Sequence, residues 1–195
     1  MQLKRICVFC GSSHGNKPAY DLAARAMGEA LAERGIGLVY GGGRVGLMGA
    51  VADAVLAKGG QVVGVIPKPL ATKELAHVSV SELRVVDTMH ERKALMAELS
   101  DAFIALPGGF GTFEEFCEVL TWSQLGLHTK PCALLNVENY WEPLLNLIDH
   151  AVTEGFVQAS HRKLVVQHND PHALLSAIET WTPPPLKRWI DAEKI

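Results

Sequence analysis

Long apolar runs, blocks of like charge and metal-type spacings are all missing from this 195-residue chain. No stretch approaches the roughly 18 uninterrupted apolar residues of a membrane span. The first apolar run, 6–10, meets Gly11 at once, which is too short for the core of a signal peptide. A cytoplasmic protein with no membrane partner is expected. Lys and Arg form no cluster and the net charge is −3, so the basic stripe that a nucleic-acid backbone demands is absent. A small anion asks for less: a few backbone N–H groups and one or two cations. The eight His residues show neither H-E-x-x-H nor a paired Cys/His spacing, so no metal site is expected.

Cysteine is scarce as well: Cys7, Cys10, Cys117 and Cys132 are all there are. The first two match C-x-x-C, the spacing of a redox pair. That chemistry needs the pair at a helix start, and these two lie in a β-branched, aromatic run. Residues three apart on a strand point to opposite faces, so the sulfurs should not converge and both should be core residues.

What is present is alternation. Short apolar runs at 4–10, 36–40, 61–66, 83–86, 102–106, 131–137 and 163–167 alternate with amphipathic stretches at 18–34, 47–58, 88–100, 112–125, 140–153 and 171–181. This pattern predicts an α/β fold, a doubly wound Rossmann-like parallel sheet with helices on both faces. A single domain over 1–182 is expected, followed by a Pro-rich tail, 183–195. In such sheets ligands bind beyond the carboxyl ends of the strands. The loops beginning at Gly11, Gly41 and Gly108 each follow a predicted strand and should gather on one edge.

The third loop carries the most chemistry: Pro107-Gly108-Gly109-Phe110-Gly111-Thr112-Phe113-Glu114-Glu115. Glycines let a backbone approach a ligand closely, and a helix starting at Thr112 would offer free N–H groups to a phosphate. Neither Gly-Lys-Ser/Thr nor G-x-G-x-x-G is present, so neither common nucleotide loop applies. Thr112 and Glu115 also read as a capping box, T-x-x-E, which by itself would account for both. A carboxylate at that helix start has a second use, in holding ribose hydroxyls or stabilising positive charge on a sugar. The second loop, Gly41-Gly42-Gly43, implies a close backbone approach, and Ser12 in the first loop offers a hydroxyl. Thr88 and Glu91 form another capping box, while Arg92 and Lys93 sit in a first helical turn, where the dipole disfavours cations. An anionic ligand, or a carboxylate such as Glu115, would resolve that conflict.

Taken together, Pro107-Gly108-Gly109-x-Gly111-Thr112-x-x-Glu115, Gly41-Gly42-Gly43-x-x-Gly46-x-Met48-Gly49 and Met89-His90-x-Arg92-Lys93 resemble the three linked motifs of the Lonely Guy family. The resemblance runs from 6 to about 170. It implies hydrolysis of the N-glycosidic bond of N6-modified adenosine 5′-monophosphates to free base and ribose 5-phosphate, by a homodimer that needs no cofactor. It implies Arg92 and Glu115 as the catalytic pair. Nucleotide contacts are implied at Lys93, Gly108, Gly109, Phe110, Gly111, Thr112, Phe113, Glu114, Thr121 and Glu74, with Ser12, Gly42, Gly43 and Met89 as further candidates. Arg92 is expected to orient Glu115 and keep it ionised. Met27, Met48, Met89, Leu95, Trp122 and Leu125 are the apolar side chains from which a pocket for a base substituent could be drawn.

Three other readings stand beside this one. Plain AMP is an alternative substrate, and the same fold could serve as a carrier of a nucleotide or a phosphate-bearing cofactor. Family proteins have also been labelled lysine decarboxylases, a reaction that needs pyridoxal held by a Lys Schiff base. No Lys lies in either glycine-rich phosphate loop, at Gly41 or at Gly108.

Overall fold

The computed structural model describes residues 3–72 and 75–185. Seven strands, β1 (Arg5–Phe9), β2 (Gly37–Tyr40), β3 (Val62–Pro67), β4 (Glu82–Val86), β5 (Ala102–Ala105), β6 (Cys132–Leu135) and β7 (Val165–His168), form one sheet. Its order is β4-β3-β2-β1-β5-β6-β7 and every pairing is parallel. Seven helices cover it: α1 (Pro18–Glu33), α2 (Gly46–Ala57), α3 (Met89–Glu98), α4 (Phe110–Leu125), α5 (Glu142–Thr153), α6 (Ala159–Arg162) and α7 (Pro171–Thr180). The doubly wound arrangement read from the alternation of runs is therefore the fold. Of the Pro-rich tail, 186–195 lies outside the described residues. Among the described residues no helix is long and apolar enough to cross a membrane.

The sheet is buried on both faces, as parallel sheets are. Ile6 and Val8 of β1, with Cys10 just beyond it, join Met27 and Leu31 of α1 in one core layer. Cys7 and Phe9 join Phe103, Phe116 and Trp141 in the other. The two cysteines of the C-x-x-C thus lie in opposite layers, both buried as free thiols. Pro18 opens α1, where its missing N–H costs nothing. Glycine brings α1 and α2 together: a Cβ on Gly28 would lie 2.5 Å from the Val51 carbonyl oxygen.

From β1 the chain moves outward to β2, β3 and β4 on one side, then returns to lay β5 on the other side of β1. The crevice beyond the carboxyl ends of β1 and β5 is the switch point of the topology, where α/β sheets bind ligands. The three loops meet there. Gly11 donates its N–H to the Pro107 carbonyl at 3.0 Å and accepts from the Leu47 N–H at 3.0 Å.

Candidate active site

Arg92 enters the sheet edge from the first turn of α3. Its Nε donates to the Val65 carbonyl of β3 at 3.1 Å, and Nη2 donates to the Gly41 carbonyl beyond β2 at 3.2 Å. Nη1 donates to Glu115 Oε1 at 3.1 Å. About a tenth of each side chain of this pair remains exposed. A cation in a first helical turn works against the dipole, and here two strand-end carbonyls and one carboxylate compensate for it. The pattern conflict at 92 is thus resolved by a buried ion pair between α3 and α4. Glycine at 41 makes room for it, since a Cβ there would lie 1.9 Å from Arg92 Nη2.

Burial decides the state of Glu115. Desolvation raises its pKa, Arg92 lowers it, Glu114 raises it again, and the net effect pushes the carboxyl from its ordinary 4.5 up to about 7. The expectation that Arg92 keeps Glu115 ionised is therefore corrected: the guanidinium orients the carboxylate but does not outweigh the loss of water around it. Lys93, the next residue, donates to Glu114 and, at 3.0 Å, to Glu118. Burial works against its charge, yet those two hydrogen bonds prevail and raise its pKa.

The glycine loop departs from expectation at one point. Helix α4 begins at Phe110, two residues before Thr112, and its N-cap is Gly109, with no side-chain cap. Thr112 is buried inside the first turn and Glu115 is engaged with Arg92, so the T-x-x-E capping box does not form. Thr88 does cap α3, accepting from the Glu91 N–H at 3.1 Å, while Glu91 accepts from the Asp87 N–H at 3.0 Å. Left uncapped, the start of α4 presents its first N–H groups to whatever occupies the crevice.

The glycines of this loop separate into two kinds. Gly108 is demanded by the protein itself, because a Cβ there would lie 2.1 Å from Thr112 Oγ1. Gly109 and Gly111 face open space, with nothing within 4 Å of an added Cβ, and Gly109 has an ordinary φ of −103°. Nothing within the chain requires glycine at either position, and both sit at the helix start. In the second loop the chain's own packing suffices: Gly42 has φ +72° and packs on Ile66, and Gly43 packs on Met48.

Other candidates are placed as follows. Ser12 is exposed and lines a cavity of about 290 Å³ with Ser13, Gly108, Gly109 and Tyr140. Met89 and Phe110 are exposed at the first positions of α3 and α4, and Phe113 packs edge-on to Trp141 at 5.7 Å. Thr121 is not brought to the ion pair. It lies on the exposed face of α4, its hydroxyl donating to the Cys117 carbonyl at 2.7 Å, and six residues of helix carry it about 9 Å from Glu115. Glu74 lies outside the described residues. Of the apolar candidates, Met27 is fully buried in the core, while Met48 packs beside Gly41 and Gly43. Tyr140 was not among the candidates: its hydroxyl donates to the Gly108 carbonyl from 32 residues away, a contact with no sequence signature.

A family model described as possible lysine decarboxylase matches residues 48–178. A cytokinin riboside 5′-monophosphate phosphoribohydrolase of Arabidopsis thaliana is 53% identical over 93% of this chain and 85% of its own length. A probable enzyme of the same name from Oryza sativa subsp. japonica is 54% identical over 91% of this chain and 80% of its own. The chain belongs to the Lonely Guy family. Two solved structures share the fold at lower identity. One is a molybdenum cofactor binding protein from Rippkaea orientalis, with TM-score 0.69 and 22% identity over 92% of this chain and 98% of that one. The other is a molybdenum cofactor carrier protein from Chlamydomonas reinhardtii, with TM-score 0.67 and 21% identity over 91% and 98%. At that identity the likeness is one of fold. Within the Lonely Guy family, all three motifs of this chain contribute to a single sheet edge, with Arg92 and Glu115 at its centre.

Proposed function

We propose that this chain hydrolyses the N-glycosidic bond of N6-modified adenosine 5′-monophosphates, the cytokinin nucleotides, and of AMP, acting as a cytoplasmic homodimer. The observation that carries the reading is the buried Arg92–Glu115 pair beside an uncapped, glycine-lined helix start. The start of α4 takes the 5′-phosphate. As the bond between C1′ and the base nitrogen breaks, its electron pair leaves with the base, which takes a proton from solvent. Positive charge develops on the ribose ring, and the Glu115 carboxylate faces it. Water then adds at C1′ and gives its proton to Glu115, which returns it to solvent and so replaces the one taken by the base. Arg92 holds the carboxylate in place through all of this.

A carrier on the same fold has no use for this arrangement. Holding a carboxylate in a site that raises its pKa to about 7 works against folding, and such groups are concentrated where chemistry needs them. The decarboxylase reading meets its own obstacle in Lys93, the lysine beside the pair. A Schiff-base lysine must become neutral, and the carboxylates of Glu114 and Glu118 keep this one charged.

The test is direct. The protein is incubated separately with AMP and with N6-isopentenyl-AMP, and free base is sought by chromatography. Base from the isopentenyl nucleotide, lost in Glu115→Gln, is the expected result. No base from either substrate at high enzyme concentration overturns the reading. Base from AMP alone keeps the reaction and removes the cytokinin substrate.

A further inference from the structure

Between β6 and α5 the chain passes through a short turn in which Glu138 (φ 52°) and Asn139 (φ 56°) both adopt left-handed backbone. Two successive non-glycine residues in that region are uncommon, and for Glu138 there is no special tolerance of it. The turn is fixed from both sides. Asn136 accepts from the Trp141 N–H at 2.8 Å and donates to Glu142 at 2.9 Å. Lys17, in the loop after β1, pairs with Glu138 at 3.0 Å. Trp141 is buried in the core, and Tyr140 stands edge-on to it at 5.2 Å and to Tyr20 at 5.9 Å.

The product of this rigid arrangement is a single contact: the Tyr140 hydroxyl donates to the carbonyl of Gly108. That carbonyl belongs to the Gly108–Gly109 peptide, immediately before the first turn of α4. A peptide flanked by two glycines reorients easily, because neither residue has a Cβ to resist it. Reversed, it would change places between its N–H and its carbonyl oxygen, and a carbonyl turned toward a phosphate repels it. We propose that Tyr140 is a positioning residue of the phosphate cradle, holding the Gly108–Gly109 peptide by its carbonyl so that its N–H side stays available to the anion. The inference rests on the reading that a 5′-phosphate sits at the start of α4. The hydroxyl proton is committed to Gly108, so Tyr140 acts through the backbone.

Tyr140→Phe removes one oxygen atom and leaves the ring contacts in place. Ribose 5-phosphate binding is measured by calorimetry, and kcat and KM are measured for AMP and for adenosine, which lacks the phosphate. The expected result is about a tenfold loss of ribose 5-phosphate affinity, the size of one lost hydrogen bond. KM for AMP should rise similarly, with kcat moved less than twofold and adenosine turnover unaffected. Glu138→Gly keeps the hydroxyl but frees the turn and releases Lys17. It should weaken ribose 5-phosphate about threefold with no fall in thermal midpoint, a combination that a purely structural role does not give. Unchanged affinity in both variants, or equal losses for AMP and adenosine, overturns the inference while the hydrolase reading stands. If the unsubstituted protein does not bind ribose 5-phosphate, the phosphate reading fails and the inference with it.

Discussion

Glu115→Gln is the substitution that most sharply separates a catalytic carboxylate from a structural one, because its two effects run in opposite directions. Glu115 is 9% exposed, and its pKa is raised by burial from 4.5 to about 7. A group whose pKa is higher folded than unfolded favours the native state when protonated. That contribution is fully present below pH 4.5 and is lost as the pH rises through about 7. At about 1.4 kcal/mol per pH unit, the span from 4.5 to about 7 amounts to about 3 kcal/mol of stability that the native protein forgoes above neutrality. Glutamine carries no charge, so the variant is exempt. The stability difference between variant and parent should therefore drift in favour of the variant by about 3 kcal/mol between pH 4.5 and 8.5. The assay is urea unfolding of both proteins at closely spaced pH values, reading the difference at each. Meanwhile turnover should fall by two orders of magnitude or more at every pH. A flat difference curve would falsify the account of Glu115 burial, and a variant with near-normal turnover would leave Glu115 without a catalytic role.

Three further outcomes follow from the same geometry. If the ionised form of Glu115 does the work, kcat/KM should rise with pH through about 7, and a profile that falls across that range instead makes the protonated carboxyl the active form. Gly41→Ala would set a Cβ 1.9 Å from Arg92 Nη2; the guanidinium must shift by more than about 1 Å, and a displacement of that size costs on the order of a hundredfold in rate, so kcat/KM within threefold of the parent contradicts the steric argument. Gly111→Ala lies in α4 with nothing to meet, so it should stabilise the fold by about 0.5–1 kcal/mol while weakening ribose 5-phosphate, and a gain in thermal midpoint with full ligand affinity would show that the open space there is not the ligand's.

Much of this architecture is legible in the chain. Apolar runs alternating with amphipathic ones locate every strand and all but the shortest helix, and loops that follow strands must share an edge in a parallel sheet. Arg92 announces itself as a conflict, a cation in the first turn of a helix, and the structure resolves it with Glu115. The start of α4 is misread for a physical reason. Thr112 and Glu115 have capping-box spacing, but Gly108, pressed against Thr112 Oγ1, lets the helix begin two residues sooner and draws the threonine inside. Glu115 is then free to face α3. Spacing cannot distinguish these outcomes, because the same two residues at the same separation serve either one. The roles of Gly42 and Gly43 are hidden for a similar reason: a glycine needed for a ligand and one needed for a methionine look alike in sequence. Tyr140 leaves no trace at all, since a hydroxyl reaching a backbone carbonyl asks nothing of the residue type at its partner.

Three departures from local rules in this chain fall close together. A cation opposes the dipole of α3, a carboxylate is buried in α4, and two consecutive residues before α5 take left-handed backbone. Each is unfavourable taken alone, and three separate helices are involved. All three lie at the carboxyl edge of the sheet, where β1, β2, β5 and β6 end. Packing that merely filled a core would have no reason to collect its penalties there, whereas a site that must present donors to an anion and a carboxylate to a sugar needs them side by side. This concentration, rather than the fold, is what the hydrolase reading rests on. It also fixes which substitutions should trade stability against function. Substitutions that ease the backbone without touching the ion pair, at Gly111 or Glu138, should leave the protein at least as stable and less capable.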